Sequence, residues 1–566
     1  MILNQYLPEE ILQRVLPDQH IKSLDLILDS LDKNKTKPVL KDLELLGNIH
    51  HAVNMDQYRK ASFRIKLLCT APNELLQNYF KVCNVVKTIS DMNAREVKDT
   101  INKISNFQWG NNNETNTFIK CFNYPDYLIP KNPQLEKNDD ITYGGYGAHK
   151  LFEPLKMLML YQAQIVYRSL DKLRIPSARF LIQMPTGTGK TRTAMEIVAH
   201  YLNENSEHQI MWLTDSVELL SQAVDTFKHV WQHVGKFDIN TYRIWGSNKP
   251  QEIKNGPCII FAGYQKLINL FDNNFSVHPD LIINDEAHRI LAPEYNKLLY
   301  RLMFSEKNVK LIGLTATPGR GINPQQNKLL VEEFHEQLIG IELEGKKSEQ
   351  YENNIVSYLE DEGVLAKHKL DTLETNVKIE LSDKEWHRLV NLINGDLHEY
   401  SEELLKSLAE DNTRNLLIIN KLQKYANQNK KILYFGTSID QTILVSVILT
   451  KLGINSVYVD GKTDKDFRKE VVDKFKHTDE INVICNYGIF ATGFDVPDLD
   501  VVFIGRPVNS PVLFNQIVGR GTRGPKMGGS EYFDLVQVID KISHEDPKFD
   551  PYEHYLFWDE NWNSDL

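Results

Sequence analysis

Short apolar runs alternate with longer amphipathic patterns in two separate blocks of the chain. The first block contains five such runs: Phe180–Met184, Ile210–Thr214, Cys258–Ala262, Leu281–Asn284 and Lys310–Leu314. The second block contains five more: Lys431–Phe435, Ser456–Val459, Asn482–Cys485, Val501–Ile504 and Glu531–Val538. Strands that alternate with helical patterns are typical of a parallel sheet with helices on both faces. The sequence therefore predicts an α/β fold with two tandem domains.

The segments that flank these two blocks show other patterns of apolar and polar residues. Residues 1–150 show the apolar periodicity of helices and are predicted to form a mainly helical N-terminal domain. Residues 151–345 and 431–544 are assigned to the two α/β domains, and residues 346–430 to a helical linker or insertion. The last segment, 545–566, is rich in acidic and aromatic residues and is predicted to be a tail.

Composition narrows the class of protein. The chain has 566 residues, of which 42% are hydrophobic and 25% charged, as expected for a soluble globular protein. No apolar run approaches the roughly 18 residues of a membrane span, and the five cysteines contain no C-x-x-C pair. We therefore expect a cytoplasmic protein without membrane contact. The net charge of −11 argues against a histone-like, purely electrostatic nucleic-acid binder.

A glycine-rich turn follows the first predicted strand and precedes a predicted helix. It reads Met184-Pro-Thr-Gly-Thr-Gly-Lys190-Thr191 and departs from the strict phosphate-loop pattern only at Met184. Glycines let backbone N–H groups converge on a phosphate at a helix N-terminus, where the helix dipole also favours an anion. Lys190 would reach the β- and γ-phosphates, and Thr191 would bind Mg²⁺. The residues predicted to hold ATP here are Thr186, Gly187, Thr188, Gly189, Lys190 and Thr191. The alternative is a turn without a ligand.

Two adjacent carboxylates end the fourth predicted strand of the first block, 95 residues beyond Lys190. Asp285 can hold Mg²⁺, and Glu286 can act as the base that polarises the attacking water in ATP hydrolysis. His288, two residues further on, is assigned a coupling role. A solvated turn is the alternative for such a pair in isolation.

These two segments resemble motifs I and II of the superfamily 2 helicases and translocases, in the Asp-Glu-Ala-His form. The resemblance implies two RecA-like domains with ATP and Mg²⁺ in the cleft between them. It implies that Gln162 reads adenine and that Thr315 and Thr317, in Leu-Thr-Ala-Thr-Pro, couple hydrolysis to domain movement. It also implies that Thr214 and Ser216 touch the nucleic-acid backbone, as would Gly263, which stands where the family has threonine.

The second block completes the resemblance. Ser438 and Thr463 fall in segments similar to backbone-contacting loops of the second domain, and Gly493 and Asp495 lie in a Gly-Phe-Asp-Val-Pro segment similar to motif V. Gln516, Arg520 and Arg523 resemble motif VI, whose arginines reach the γ-phosphate bound by the first domain. Their i, i+3 spacing would place both arginines on one face of a helix.

The residues of these motifs are most similar to those of the motor subunits of type I and type III restriction enzymes, which act on double-stranded DNA. The sequence thus predicts a DNA-dependent ATPase, acting as a helicase or translocase in genome defence or DNA repair. Two alternatives stay open: an RNA helicase, and a nucleic-acid sensor that signals to a protein partner through residues 1–150 or 545–566. Pro125-Asp126 lacks a correctly spaced Glu-x-Lys, so no nuclease is predicted.

Overall fold

The computed structural model describes residues 60–69, 71–110, 112–122, 141–143, 157–246, 248, 253–273, 275–304, 308–316, 324–343, 345–351, 354–379, 402–461, 463, 465–488, 499–508 and 511–542. Three candidate residues, Thr317, Gly493 and Asp495, lie outside these ranges, as does the tail 545–566. Among the described helices, none has both the length and the apolar character that crossing a bilayer would demand.

The described part of the N-terminal region is helical. Its helices are α1 (Ala61–Cys69), α2 (Asn73–Val82), α3 (Ala94–Ser105) and α4 (Asn113–Cys121). The fully buried guanidinium of Arg64 in α1 donates to the carbonyl oxygen of Ser105 over 2.8 Å, which ties α1 to the end of α3. Buried side chains of this bundle, such as Phe80 and Phe118, belong to the same apolar cluster as Val501 of the second α/β domain.

The first α/β domain is built on an eight-stranded sheet. Its strands are β1 (Ile141–Tyr143), β2 (Arg179–Gln183), β3 (Gln209–Thr214), β4 (Ile239–Ile244), β5 (Cys258–Gly263), β6 (Leu281–Asp285), β7 (Lys310–Thr315) and β8 (Leu338–Ile339). Its helices are α5 (Leu160–Lys172), α6 (Lys190–Glu204), α7 (Val217–Val234), α8 (Tyr264–Phe271), α9 (Pro293–Phe304) and α10 (Pro324–Glu333). The strand order is β1-β4-β5-β3-β6-β7-β2-β8, and only β1 runs antiparallel to its neighbour.

Alternate residues of these strands face opposite sides of the sheet and enter two different cores. Ile210 and Trp212 of β3 pack in one apolar cluster, whereas Met211 and Leu213 pack in the other. A strand that is buried on both faces is apolar throughout, and this explains why the sequence shows continuous apolar runs at these positions. The carboxyl ends of β2, β3, β5, β6 and β7 lie at one edge, where ligands bind in open parallel sheets.

The second α/β domain is built on a six-stranded parallel sheet. Its strands are β9 (Lys367–Ile379), β10 (Ile432–Phe435), β11 (Ser456–Asp460), β12 (Val483–Tyr487), β13 (Val501–Ile504) and β14 (Tyr532–Ile542), in the order β11-β12-β10-β13-β14-β9. The helices that precede or cover this sheet are α11 (Lys346–Tyr351), α12 (Ile355–Asp361), α13 (Glu402–Glu410), α14 (Asn412–Ala426), α15 (Ile439–Lys451), α16 (Lys465–His477) and α17 (Pro511–Val518).

All ten predicted strands are present, and the prediction of two parallel-sheet α/β domains is confirmed. The helical prediction for residues 346–430 is wrong over β9, which pairs in parallel with β14 and forms the edge of the second sheet. An edge strand has one sheet neighbour and an exposed side, so it tolerates polar residues such as Lys369 and Thr372 and shows no apolar run. The strand β4 was missed for a related reason, because Asn240 and Arg243 interrupt its apolar residues.

Candidate functional site

The glycine-rich loop is anchored at its start by Met184. The N–H of Met184 donates to the carbonyl oxygen of Thr315 over 3.0 Å, which joins the end of β2 to the end of β7. The Met184 side chain is fully buried in the core of the first domain. The departure from the strict phosphate-loop pattern at this position is therefore a core-packing feature, and the rest of the loop is unaffected.

The glycines of the loop have backbone conformations that other residues rarely adopt. Gly187 has φ +89° and Gly189 φ +83°, and α6 begins directly afterwards at Lys190. A Cβ atom on Gly187 would lie 3.0 Å from Thr522 Oγ1, and one on Gly189 would lie 2.5 Å from Gln162 Nε2. The absence of side chains at these two positions lets the loop curl at the helix N-terminus, where free N–H groups bind phosphate.

Two residues of α5 support the loop from behind. The carbonyl oxygen of the buried Thr188 accepts hydrogen bonds from Tyr161 Oη at 2.8 Å and from Gln162 Nε2 at 3.0 Å. The Thr188 hydroxyl donates to the carbonyl oxygen of Pro185 over 2.7 Å. Gln162 Oε1 accepts from the N–H of Met159 at 2.8 Å. Gln162 therefore supports the loop while its amide keeps one further donor and one further acceptor position.

The two carboxylates meet the loop lysine at the end of β6. Glu286 Oε1 lies 3.4 Å from Lys190 Nζ, and Glu286 Oε2 lies 3.4 Å from His288 Nδ1. Glu286 has a left-handed backbone with φ +57°, which costs an L-residue about 1–3 kcal/mol and is concentrated at functional sites. This conformation turns its side chain towards the phosphate loop. The structure thus brings Lys190, Glu286 and His288 together, and the roles predicted for them stay predictions.

The environments of the adjacent carboxylates shift their pKa values in opposite directions. Burial raises the pKa of Asp285 to about 6, against the opposing charge of Lys190. Burial also acts to raise the pKa of Glu286, but the positive charges of Lys190, His288 and Arg520 outweigh it and hold that pKa below its usual value. Glu286 is therefore ionised at neutral pH, which is the state that a general base requires.

Thr191 and Asp285 fit a magnesium ion. Thr191 is the second residue of α6, and Asp285 places a carboxylate that is 3% exposed at the same edge of the sheet. Hydroxyl and carboxylate oxygens are ligands that Mg²⁺ prefers, usually one or two from the protein with water and substrate phosphates completing the shell. In the part of the chain that the structure describes, no group of three or more His, Cys, Asp or Glu side chains is placed to hold a metal ion.

The arginines of the second domain do not lie on a helix. The helix α17 ends at Val518, so the prediction that Arg520 and Arg523 share one helix face is wrong. Gly519 and Gly521 interrupt the helical pattern here. A Cβ atom on Gly519 would lie 2.4 Å from a Thr186 side-chain carbon, so this turn packs directly on the phosphate loop.

The two arginines have different surroundings. Arg520 Nε donates to the carbonyl oxygen of Gln516 over 3.1 Å, and its charge acts on Glu286 of the first domain. The backbone of Arg523 forms an antiparallel bridge with Leu365, in the segment that joins the two domains. The charge of Arg520 therefore acts on the first domain, and the main chain of Arg523 is bonded to the interdomain connection.

A further contact between the domains was not predicted. Thr522 Oγ1 lies 3.2 Å from the carbonyl oxygen of Thr186 and 3.1 Å from that of Gly519, so its single proton is shared between the two. Thr522 lies between the two predicted arginines, and this position was the only sequence signal that could have drawn attention to it. The structure therefore places the turn after α17 against the phosphate loop.

The predicted nucleic-acid contacts fall into two groups. Ser216 and Ser438 are N-caps whose hydroxyls accept from the N–H groups of Leu219 at 3.3 Å and Gln441 at 3.2 Å. Gly263 caps α8, and a Cβ there would meet nothing closer than 3.7 Å. These three stay predicted contacts at the carboxyl edges of the two sheets.

The other two predicted contacts are buried. Thr214 is fully buried at the end of β3. Thr463 is 3% exposed, and its hydroxyl donates to Asp460 Oδ1 over 2.9 Å and accepts from the Asp460 N–H at 2.8 Å. Both side chains are buried in this conformation, and their contacts with nucleic acid stay predictions.

Two links between the neighbours of the carboxylates, Asn284 and Arg289, and the candidate nucleic-acid loops emerge only from the structure. Asp215, beside Ser216, forms a 2.8 Å ion pair with Arg289. The buried Tyr264 hydroxyl, beside Gly263, donates to Asn284 Oδ1 over 2.6 Å. Sequence reasoning missed these residues because ion pairs and hydrogen bonds between distant segments leave no local pattern.

The fold and the site together define a class of protein. Two parallel α/β domains meet where the glycine-rich loop and the adjacent Asp285 and Glu286 of the first domain face the turn of the second domain that carries Arg520. Residues 155–320 match the family model described as "Type III restriction enzyme, res subunit", and residues 414–524 match the "Helicase conserved C-terminal domain". The chain therefore contains one domain that matches each of these two families.

Individual relatives are distant. A 51.5 kDa protein of a Lactococcus phage is 27% identical over 61% of this chain and 62% of its own length. The DNA 3'-5' translocase XPB2 of Sulfurisphaera tokodaii is 24% identical over 71% of this chain and 86% of its own. The type I restriction enzyme EcoAI endonuclease subunit of Escherichia coli is 23% identical over 66% of this chain. The match covers 45% of that subunit, so the chain spans about half its length.

One solved structure matches a similar share of this chain. The Hef helicase domain of Pyrococcus furiosus is 18% identical with a TM-score of 0.42, over 70% of this chain and 97% of that domain.

Proposed function

We propose that this chain is an ATP-dependent DNA motor, in which hydrolysis between the two α/β domains drives translocation along DNA or its unwinding. The observation that carries the proposal is the meeting of groups from both domains. Lys190 and Glu286 of the first domain lie 3.4 Å apart, and Arg520 of the second lies close enough to lower the pKa of Glu286. Such a site couples a chemical step to domain closure.

In this proposal the N–H groups at the start of α6 and the Lys190 ammonium hold the phosphates of ATP. Thr191 and Asp285 hold Mg²⁺, which neutralises charge on the β- and γ-phosphates when bound. The ionised Glu286 accepts a proton from the attacking water. Arg520, joined by Arg523 on full closure, stabilises the charge that develops on the transferred phosphoryl group, a contribution of about 10³–10⁵ in related phosphoryl-transfer sites.

The candidate nucleic-acid loops lie on both domains, with Ser216 on the first and Ser438 on the second. Closure and reopening of the cleft would change the distance between these two nucleic-acid-binding loops and so move the protein along DNA in steps. DNA is proposed over RNA because one relative is a DNA 3'-5' translocase and another is a subunit of a type I restriction enzyme. The proposed setting is genome defence or DNA repair.

The test uses purified protein, Mg²⁺ and ATP at one fixed salt concentration. ATP turnover is measured with duplex DNA, single-stranded DNA and duplex RNA, and displacement of a third strand from triplex DNA reports translocation. The proposal predicts stimulation by DNA and triplex displacement, both abolished in Lys190→Ala, with no new DNA ends. Stimulation by duplex RNA alone would make the protein an RNA helicase.

DNA-stimulated turnover without displacement or unwinding would favour a sensor, and a pull-down that depends on nucleotide state would then identify its partner. Cleavage of DNA by both the wild type and Lys190→Ala would reveal a nuclease in the chain. Absence of ATP turnover with every nucleic acid would overturn the proposal.

A further inference from the structure

A short segment of the second domain covers the phosphate loop beside Gln162. After the turn that carries Arg520, residues Pro525–Met527 form a single 3₁₀ turn. A Cβ atom on Gly189 would lie 3.3 Å from Met527 Cε and 2.5 Å from Gln162 Nε2. The thioether of the second domain and the amide of the first domain therefore approach the same point at the start of α6.

This segment is held in place by the connection between the domains. The N–H of Gly524 donates to the carbonyl oxygen of Val364, and that of Lys526 donates to the carbonyl oxygen of Gly363, both over 2.9 Å. Lys526 Nζ forms a 2.9 Å ion pair with Glu362 Oε2. Three contacts to three consecutive residues determine the position of the turn, so Met527 is presented to the loop from a pre-organised backbone.

Met527 is also the member of this turn that faces the first domain. Its side chain is half-buried and packs against the apolar cluster that contains Tyr161 and Leu365. Its neighbours Pro525 and Lys526 are exposed. A flexible, polarisable thioether is well suited to lie against an aromatic ring, with a contribution of about 0.3–1.5 kcal/mol.

We propose that Met527 contacts the purine base of the bound nucleotide, so that the second domain takes part in base recognition. Gln162 retains one donor and one acceptor position for the edge of the ring, and Met527 supplies an apolar contact to its face. The inference rests on the proposed function, because it assumes that ATP binds at this loop. It assigns to the second domain a role in nucleotide selection that is separate from the phosphate contacts of Arg520.

The test compares two probes that share a chain of three phosphoryl groups, of which only one carries adenosine. Binding of the β,γ-imido analogue of ATP and of inorganic tripolyphosphate is measured by calorimetry, with Mg²⁺, for the wild type, Met527→Ala and Met527→Leu. Pro525→Ala is the matched control, since it alters an exposed residue of the same turn and leaves the Lys526–Glu362 ion pair in place. Met527→Ala should weaken the ATP analogue about 2- to 10-fold and leave tripolyphosphate unchanged. Met527→Leu should restore most of the affinity.

Three results would overturn the inference: unchanged binding of the analogue in Met527→Ala, equal weakening of both probes, or an equal effect of Pro525→Ala on the analogue. Equal weakening would show that Met527 only helps to close the cleft. A failure of the proposed function has a different signature, because the wild type itself would then bind neither probe, or Lys190→Ala would bind both as well as the wild type.

Discussion

A buried ion pair in the second domain gives a prediction whose size follows from the structure. Arg414 is fully buried on α14, and its guanidinium makes two bonds to the carboxylate of Asp540 on β14, Nε–Oδ1 at 2.8 Å and Nη2–Oδ2 at 2.9 Å. The same guanidinium donates to Thr437 Oγ1 at 3.1 Å and to the carbonyl oxygen of Gly505 at 2.5 Å. It thus joins the carboxyl ends of β10, β13 and β14.

The substitution Arg414→Met keeps much of the side-chain volume and removes every one of these donors. Asp540 then retains the Thr375 hydroxyl, 2.6 Å from Oδ1, but its side chain is only 2% exposed and its charge is unpaired. Removing one partner of a buried pair costs about 3–5 kcal/mol, because the remaining charge stays desolvated. A loss of this size is a large part of the roughly 5–15 kcal/mol that stabilises a typical domain.

The measurement is native-state hydrogen exchange followed by mass spectrometry, because two domains need not unfold together. Peptides that contain β10 and β13 should lose about 3–5 kcal/mol of protection, while peptides that contain β6 of the first domain should change little. The control is Glu470→Gln, which removes an i, i+4 partner of Lys474 where both side chains are 40% exposed. Exposed pairs of this kind contribute about 0.3–0.5 kcal/mol.

The double variant Arg414→Met with Asp540→Leu removes both charges and separates the pair from its surroundings. It should be more stable than the sum of the single substitutions predicts, because no buried charge is left without a partner. Additive losses in the double variant, or a loss in Arg414→Met no larger than in Glu470→Gln, would refute the reasoning.

Three further predictions concern catalysis. Lys190→Ala and Glu286→Gln should both abolish hydrolysis, but only Lys190→Ala should lose ATP affinity. Glutamine has the size of the glutamate side chain but cannot act as a base. Equal losses of ATP affinity in a binding assay would contradict these roles. Arg520→Ala and Arg523→Ala should lower kcat and spare most ATP affinity, because the contact of these arginines with the γ-phosphate strengthens as the domains close. A variant with normal turnover and weak ATP binding would show that its arginine does not act on the transition state. Tyr264→Phe should preserve basal turnover and reduce its stimulation by DNA, and an unchanged stimulation would show that its bond to β6 carries no coupling.

Local sequence was sufficient to predict the strands that are buried on both faces and the glycine-rich loop. A buried parallel strand must be apolar on both sides, so β3 and β6 are visible as continuous apolar runs. A phosphate loop needs glycines, a lysine and a helix start within a few residues, so Gly187 to Thr191 are recognisable without any long-range information. The roles of these residues in catalysis stay predictions.

Only the tertiary structure decided what the local pattern does not contain. The edge strand β9 has no apolar run because half of its surroundings is solvent. The turn after α17 leaves the helical path because Gly519 must pack on Thr186 of the other domain, 2.4 Å from where a Cβ would lie. The contact of Thr522 with Thr186 joins positions 336 residues apart. Such contacts form only where the loops of two folded sheets meet. The spacing of residues along the chain does not predict which loops these are.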